Sequence, residues 1–179
     1  MDLAGFEREI RRMASSGKKL LIGIDGESFA GKTMLAKHLC EAFSGWKRIS
    51  LDAYISEPKV RIDAFRTAAG RKMLPERWYD QKRLDEVALP ADSSVVVEGT
   101  FLLAALPPER FDAIFLLTRP DIEEKRVAGL RRQNILLSEE EARALDGAYG
   151  EAWQAYKAGF YRDFAFFEID GILDMQGKK

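Results

Sequence analysis

The sequence predicts an α/β fold, a doubly wound parallel sheet of about five strands with helices on both faces. Segments with strand character alternate with helical patterns along the chain. The strand segments are near-continuous apolar runs, which is typical of parallel strands buried on both faces. The chain has 179 residues, of which 46% are hydrophobic, and this suits a single domain covering residues 1–179.

The strands are predicted from short apolar segments bounded by loops. The first, KKLLIGID, ends at a glycine-rich loop, and the second is WKRISLDAY. SSVVVEG follows turn-forming residues at PADS, DAIFLLT comes next, and FAFFEID is the last. These five segments make up the predicted sheet.

The helices are predicted from apolar residues at helical spacing, which near the N-terminus are Leu3, Phe6, Ile10 and Met13. Further helical patterns cover residues 32–43, 81–89, 121–133 and 138–160. The last of them begins with a capping box, because Ser138 is followed three residues later by Glu141. Residues 56 to 80 are interrupted by proline and glycine, so short helices and loops are expected there.

Composition narrows the class of protein. The net charge is −1 and the pI is about 6.0, which argues against a dedicated nucleic-acid binder. The N-terminus has no long apolar run and no segment is long enough to span a membrane, so we expect a soluble, cytoplasmic protein without a membrane partner. The single cysteine, Cys40, cannot form an internal disulfide, and the single histidine, His38, is expected to have a surface or helix-packing role rather than a catalytic one.

The glycine-rich loop carries the strongest chemical signal. Residues 26–33, GESFAGKT, match the phosphate-binding pattern G-x-x-x-x-G-K-[ST], with a strand before and a helix after. Gly26 and Gly31 allow backbone N–H groups to point at phosphates, and the following helix directs its positive end at the same place. Lys32 supplies a charge for the β and γ phosphates, and Thr33 offers a hydroxyl to Mg²⁺. The loop therefore predicts the three-layer P-loop NTPase fold.

Two acidic residues end predicted strands and are expected to face the phosphates. Asp52 ends RISLD and Glu98 ends SVVVE, and the carboxyl ends of strands open onto the ligand crevice in such sheets. A carboxylate there can hold magnesium or accept a proton from an attacking hydroxyl. The alternatives are that Asp52 caps the chain locally and that Glu98 has no direct contact with the metal.

Four motifs in order, GIDGESFAGKT, SLDAYI, WYDQKRLDEVAL and VVVEGTFLL, give the sequence a wider resemblance. It resembles the uridine kinase-like branch of P-loop kinases, which includes phosphoribulokinases, pantothenate kinases and nicotinamide riboside kinases. The matching residues are Ser28, Asp52, Tyr54, Tyr79, Asp80, Glu98 and Gly99. Gln81 and Lys82 stand where the family has His-Pro, so the acceptor is expected to differ from uridine.

The resemblance also implies a helical lid near residues 122–140 that brings arginines to the phosphates. Arg126 fits the start of the family's arginine pattern best, whereas Arg131 and Arg132 are shifted. One well-placed arginine stabilises charge on a transferring phosphoryl group.

The predicted site follows from the loop, the acids and the resemblance together. Catalysis is assigned to Asp52, Lys32, Glu98 and Arg126, and magnesium to Thr33, Asp52 and Glu98. The acceptor is assigned to Asp52, Tyr54, Tyr79, Asp80 and Glu98. Nucleotide binding is assigned to Gly26, Glu27, Ser28, Phe29, Ala30, Gly31, Lys32, Thr33 and Met34.

Three functions remain open at this point. The first is an ATP- and Mg²⁺-dependent kinase that phosphorylates a hydroxyl of a nucleoside or related sugar. The second is a nucleotide-hydrolysing or nucleotide-sensing switch that acts through a protein partner, although the Asn-Lys-x-Asp motif of GTP-specific switches is missing. The third is a polynucleotide kinase, which the near-neutral charge disfavours.

Overall fold

A single parallel sheet confirms the predicted fold class. The computed structural model describes residues 1–57, 60–61, 64, 67–133, 138–162 and 166–170. The strands are β1 (Leu21–Gly26), β2 (Lys47–Ser50), β3 (Val95–Glu98), β4 (Ala113–Thr118) and β5 (Phe167–Asp170). Their spatial order is β2-β3-β1-β4-β5, and every neighbouring pair is parallel.

Helices connect these strands. The described ones are α1 (Leu3–Ala14), α2 (Lys32–Ala42), α3 (Ala68–Lys72), α4 (Leu74–Arg77), α5 (Gln81–Asp85), α6 (Leu102–Ala105), α7 (Ile122–Gln133) and α8 (Glu139–Phe160). The capping box predicted for α8 is present, since the Glu141 N–H donates to Ser138 Oγ at 3.1 Å and the Ser138 N–H donates to Glu141 Oε2 at 2.8 Å.

Two apolar cores lie on opposite faces of the sheet. Because successive strand residues face opposite sides, Val96 packs toward α1 and α2 whereas Val95 and Val97 pack toward α6 and α8. Both sides of the central strands are therefore buried, as the continuous apolar runs predict. This packing holds the carboxyl ends of β1, β3 and β4 at one edge of the sheet.

Some element boundaries differ from those expected. The second strand ends at Ser50, and Leu51–Tyr54 forms a 3₁₀ helix, so Asp52 lies in a turn beyond the strand. Helix α5 ends at Asp85, before the predicted residue 89. The short helix α6 was not expected from the sequence.

Parts of three predicted segments lie outside the described residues. They are residues 134–137 of the expected lid, residues 58–59, 62–63 and 65–66 of the segment from 56 to 80, and residues 164–165 of the predicted last strand. None of the helices in the described part of the chain combines the length and apolar character needed to cross a membrane.

Candidate active site

The glycine-rich loop joins β1 to α2 in a conformation that favours glycine at two positions. Gly26 has φ 150° and Gly31 has φ 102°. A Cβ at Gly26 would lie 2.5 Å from the carbonyl oxygen of Leu117 on β4, so a side chain is excluded there by space as well as by φ. Phe29 also has a positive φ, 67°, although it carries a side chain. The loop is thus held in a tight turn above the sheet.

Lys32, the first residue of α2, lies beneath this loop. Its side chain is 6% exposed, and Nζ donates to the carbonyl oxygens of Gly26 at 2.9 Å and Glu27 at 2.8 Å and to Thr100 Oγ1 at 2.9 Å. Burial lowers the pKa of the Lys32 ammonium, while the nearby Asp52 carboxylate acts in the opposite direction. The ammonium is therefore positioned by the loop's own backbone.

Thr33 and Glu98 meet at the carboxyl edge of the sheet. Thr33 Oγ1 donates to Glu98 Oε1 at 3.1 Å, and Arg48 of β2 reaches the same oxygen at 2.9 Å. Glu98 is fully buried, and its Oε2 has no hydrogen-bond partner within the described structure. A buried carboxylate oxygen without a partner is costly, and this one lies beside a hydroxyl, which fits a hard cation with oxygen ligands.

These residues fit magnesium only as part of a larger shell. No group of three or more His, Cys, Asp or Glu side chains among the described residues is arranged to hold a metal ion. Mg²⁺ is usually held by one or two carboxylates together with waters and substrate phosphates. Thr33 and Glu98 provide the protein part of such a shell.

Asp52 lies in the 3₁₀ helix after β2 and is exposed. The N-cap of that helix is Ser50, so Asp52 does not have the position of a cap. It follows Ser50, which pairs with Glu98 at the carboxyl end of β2, and its carboxylate acts against burial to raise the pKa of Lys32. An exposed carboxylate near the loop lysine is available to a second substrate.

The remaining predicted acceptor residues are held by the protein itself. The Tyr79 hydroxyl donates to the carbonyl oxygen of Thr100 at 2.6 Å, and burial raises its pKa well above the ordinary value. A Cβ at Gly99 would lie 2.5 Å from that hydroxyl, which explains the glycine after Glu98. Asp80 is the N-cap of α5 and accepts from the backbone N–H groups of Lys82 and Arg83.

Tyr54 is partly exposed and lies close to Asp52 in the chain. The centre of its ring lies 5.8 Å from the guanidinium carbon of Arg83. Nη2 of the same arginine donates to the carbonyl oxygen of Ala53 at 2.5 Å. Of the predicted acceptor residues, Asp52 is exposed, Tyr54 and Asp80 are partly exposed, and Tyr79 and Glu98 are buried.

Among the three arginines weighed for the lid, Arg126 is the one that contacts the loop. It is 7% exposed, and it donates through Nη1 to Glu27 Oε1 at 2.5 Å. Asp146 of α8 accepts from Nε at 2.6 Å and from Nη2 at 3.0 Å. Arg131 pairs at the surface with Glu139, and Arg132 is exposed.

The structure adds a buried network below the loop that sequence reasoning missed. Asp25, the residue before Gly26, accepts hydrogen bonds from the hydroxyls of Tyr156 and Tyr161 and from the Gly26 N–H. Tyr156 is buried on α8, and its hydroxyl also accepts from the Leu103 N–H at 2.8 Å. The sequence signal for this network is Asp25 itself, an acidic residue near the end of an otherwise apolar strand.

The other predicted residues have simpler surroundings. Ala30 is buried in the core beside α2, whereas Met34 is 43% exposed on its first turn. The Ser28 N–H donates to the Tyr149 hydroxyl at 3.0 Å. His38 Nε2 lies 2.6 Å from Glu7 Oε1, which joins α2 to α1 as its expected packing role requires.

The fold has counterparts among solved structures. No protein-family model matches the chain, and no curated protein matches it in sequence. A structure from Bacillus stearothermophilus described as a possible uridine kinase aligns over 91% of this chain and 99% of its own, with 19% identity and a TM-score of 0.54. The Thermus thermophilus protein TT1252 aligns over 89% and 92%, with 18% identity and a TM-score of 0.50.

A third solved structure, that of the YGR205w protein, aligns over 90% of this chain and 86% of its own, with 14% identity and a TM-score of 0.53. At these identities the similarity concerns the fold. It confirms the resemblance to uridine kinase-like P-loop kinases at that level.

Proposed function

We propose that this protein is an ATP-dependent kinase that transfers the γ-phosphoryl group to a hydroxyl of a small acceptor, a nucleoside or a related sugar. The observation that carries the proposal is the arrangement of Lys32, Thr33 and Glu98 around the loop from residue 26 to residue 33. The possible uridine kinase among the structural neighbours supports a nucleoside-like acceptor.

The loop would bind the phosphate tail through backbone N–H groups and the positive end of α2, because these groups favour negative charge. Lys32 Nζ, now bonded to the carbonyl oxygens of Gly26 and Glu27, would turn toward the β and γ phosphates. Thr33 and Glu98 would hold Mg²⁺, which neutralises charge on the phosphates when it is bound.

Asp52 would act as the general base. The acceptor hydroxyl gives its proton to the Asp52 carboxylate while its oxygen forms a bond to the γ phosphorus, and the bond from that phosphorus to the bridging oxygen breaks to release ADP. Phosphoryl transfer depends mainly on positioning and electrostatic stabilisation. The exposed position of Asp52 leaves room for an acceptor, and Tyr54 would form part of the same wall.

A transfer assay separates this proposal from the nucleotide-hydrolysing switch. The protein is incubated with ATP labelled at the γ position, Mg²⁺, and a panel of nucleosides and sugars tested one at a time. We expect labelled acceptor to form with one class of compound only. Phosphate release that is the same with and without every acceptor would contradict the kinase and favour the switch.

A further inference from the structure

Three consecutive residues of the loop contact the two helices that cover it. Glu27 accepts from Arg126 of α7, and the Ser28 N–H donates to the Tyr149 hydroxyl of α8. The ring of Phe29 lies against Gly129 of α7, where a Cβ would overlap it. One group that the proposed function assigns to phosphates, the Ser28 N–H, is therefore already bonded to the protein, and the side chains on either side of it contact α7.

The guanidinium of Arg126 is held in one orientation by α8. Asp146 accepts hydrogen bonds from Nε and Nη2 of Arg126. The centre of the Tyr149 ring lies 5.1 Å from the guanidinium carbon. Asp146 and Tyr149 are three residues apart, so they share one face of the helix. Only Nη1 is directed at the loop, and its partner there is Glu27.

Within the described part of the chain, Arg126 is the one cation bonded to both carboxylates of this cluster, although Lys32 and Lys157 also act to lower the pKa of Glu27. The side chains of Arg126, Asp146 and Glu27 are 8%, 5% and 15% exposed, and two carboxylates share one guanidinium. Burial raises the pKa of Glu27, while Arg126 acts in the opposite direction. Glu27 has one of the three guanidinium bonds and Asp146 has two, so Glu27 is the carboxylate that can leave more easily.

We propose that the Glu27 carboxylate occupies Arg126, the arginine already assigned to the phosphates, until a phosphate replaces it, and that Asp146 positions Arg126 for this exchange. The inference rests on the proposed function, since it concerns the same loop. Asp146 is then a positioning residue that aims Nη1 at the phosphates. Glu27 lowers nucleotide affinity, because its charge must be displaced and repels the incoming phosphate oxygens.

The test is a calorimetric titration with a nonhydrolysable ATP analogue and Mg²⁺. We expect Glu27→Gln to lower Kd about tenfold, which corresponds to about 1.4 kcal/mol. Glu27→Ala removes the same charge and should also bind more tightly. The matched control is Glu139→Gln, which removes another acid that pairs with an α7 arginine, at the surface, and should leave Kd unchanged. A gain in affinity is a result that damage to the fold does not produce.

The role of Asp146 is tested by turnover and by coupling. We expect Asp146→Asn to lower kcat about 10²-fold, because Arg126 is then no longer aimed at the loop. In the double variant with Glu27→Gln, the gain in nucleotide affinity given by Glu27→Gln alone should be smaller. A purely structural Asp146 would leave that gain unchanged.

The outcomes separate the inference from the proposed function. Equal or weaker binding by both Glu27 variants, or an undiminished gain in the double variant, overturns the inference while wild-type transfer stays intact. Wild-type protein that binds no nucleotide overturns the proposed function, and the inference with it.

Discussion

Asp52 shows how the structure separates two roles that the sequence leaves open. A capping aspartate would be fixed at the start of a helix, but Asp52 lies inside the 3₁₀ helix and is exposed. Its loss should therefore have little effect on the fold. This position favours a chemical role over a structural one.

We expect Asp52→Asn to lower turnover by about 10²–10⁴, because the amide cannot accept the proton of the acceptor hydroxyl. Nucleotide affinity should stay near that of the wild type, and the free energy of unfolding should change by less than about 0.5 kcal/mol. Steady-state kinetics and urea unfolding measure the two effects. The matched control is Asp92→Asn, an exposed acid that pairs with Lys47 at the other end of β2. Undiminished turnover in Asp52→Asn would exclude it as the base.

Asp25, in contrast to the exposed Asp52, has a structural role. It is fully buried and accepts its hydrogen bonds from groups inside the protein. Burial raises its pKa, and the hydrogen bonds from Tyr156, Tyr161 and the Gly26 N–H offset that shift only in part. The Asp25 carboxyl group therefore binds its proton more tightly in the folded protein than in the unfolded chain. The stability that Asp25 contributes is lost as the pH rises through its folded pKa.

We therefore expect the free energy of unfolding of Asp25→Asn, relative to wild type, to increase as the pH rises above about 4. The slope should not exceed about 1.4 kcal/mol per pH unit, the value for one proton. Urea unfolding of both proteins between pH 4.5 and pH 8 measures it. A difference that stays constant across this range would contradict the assignment.

At the scale of elements, helix α7 is matched in shape to the glycine-rich loop. Its residue Gly129 receives the ring of Phe29, whose positive φ of 67° is unfavourable for a residue with a side chain. A glycine inside a helix is also unfavourable by itself. Both unfavourable features have one explanation, which is the close approach of loop and helix.

This contact predicts that Gly129→Ala changes the free energy of unfolding in opposite directions in the wild type and in a Phe29→Gly variant. Gly129→Ala should destabilise the wild type, because overpacking of this kind costs about 1–3 kcal/mol. In a Phe29→Gly background the same substitution should stabilise the protein by about 1 kcal/mol, since the ring is gone and alanine is the better helix former. Thermal unfolding of the four proteins gives the comparison. The same sign in both backgrounds would show that Phe29 and Gly129 do not interact.

At the scale of the whole molecule, the sequence predicts the sheet well because its signals are local. The apolar runs, the capping box of α8 and the G-x-x-x-x-G-K-[ST] loop each depend on neighbouring residues, and all three are found in the structure. The resemblance implied that Arg126 approaches the loop, but its pairing with Glu27 could not be predicted, because the two residues are separated by 99 positions and meet only when α7 packs on the loop. The contact of Arg48 with Glu98 could not be predicted for a similar reason, since it forms between two adjacent strands that are far apart in the sequence.

Nucleotide should stabilise the whole chain, because a ligand that binds only the folded state adds about 2.7 kcal/mol at a free concentration of 100 Kd. For a chain of 179 residues this corresponds to a rise in Tm of about 5–10 °C. Thermal unfolding with and without an ATP analogue and Mg²⁺ measures it. An unchanged Tm at saturating analogue would contradict binding to the folded state.

The most direct test of the central claim is a crystal structure with a nonhydrolysable ATP analogue and Mg²⁺. We expect the phosphates to lie on the backbone N–H groups of residues 26–33, with Lys32 Nζ turned toward them and Mg²⁺ beside Thr33 and Glu98. Phosphates bound elsewhere, or a Glu98 carboxylate that stays on Arg48 with no cation near it, would contradict the account.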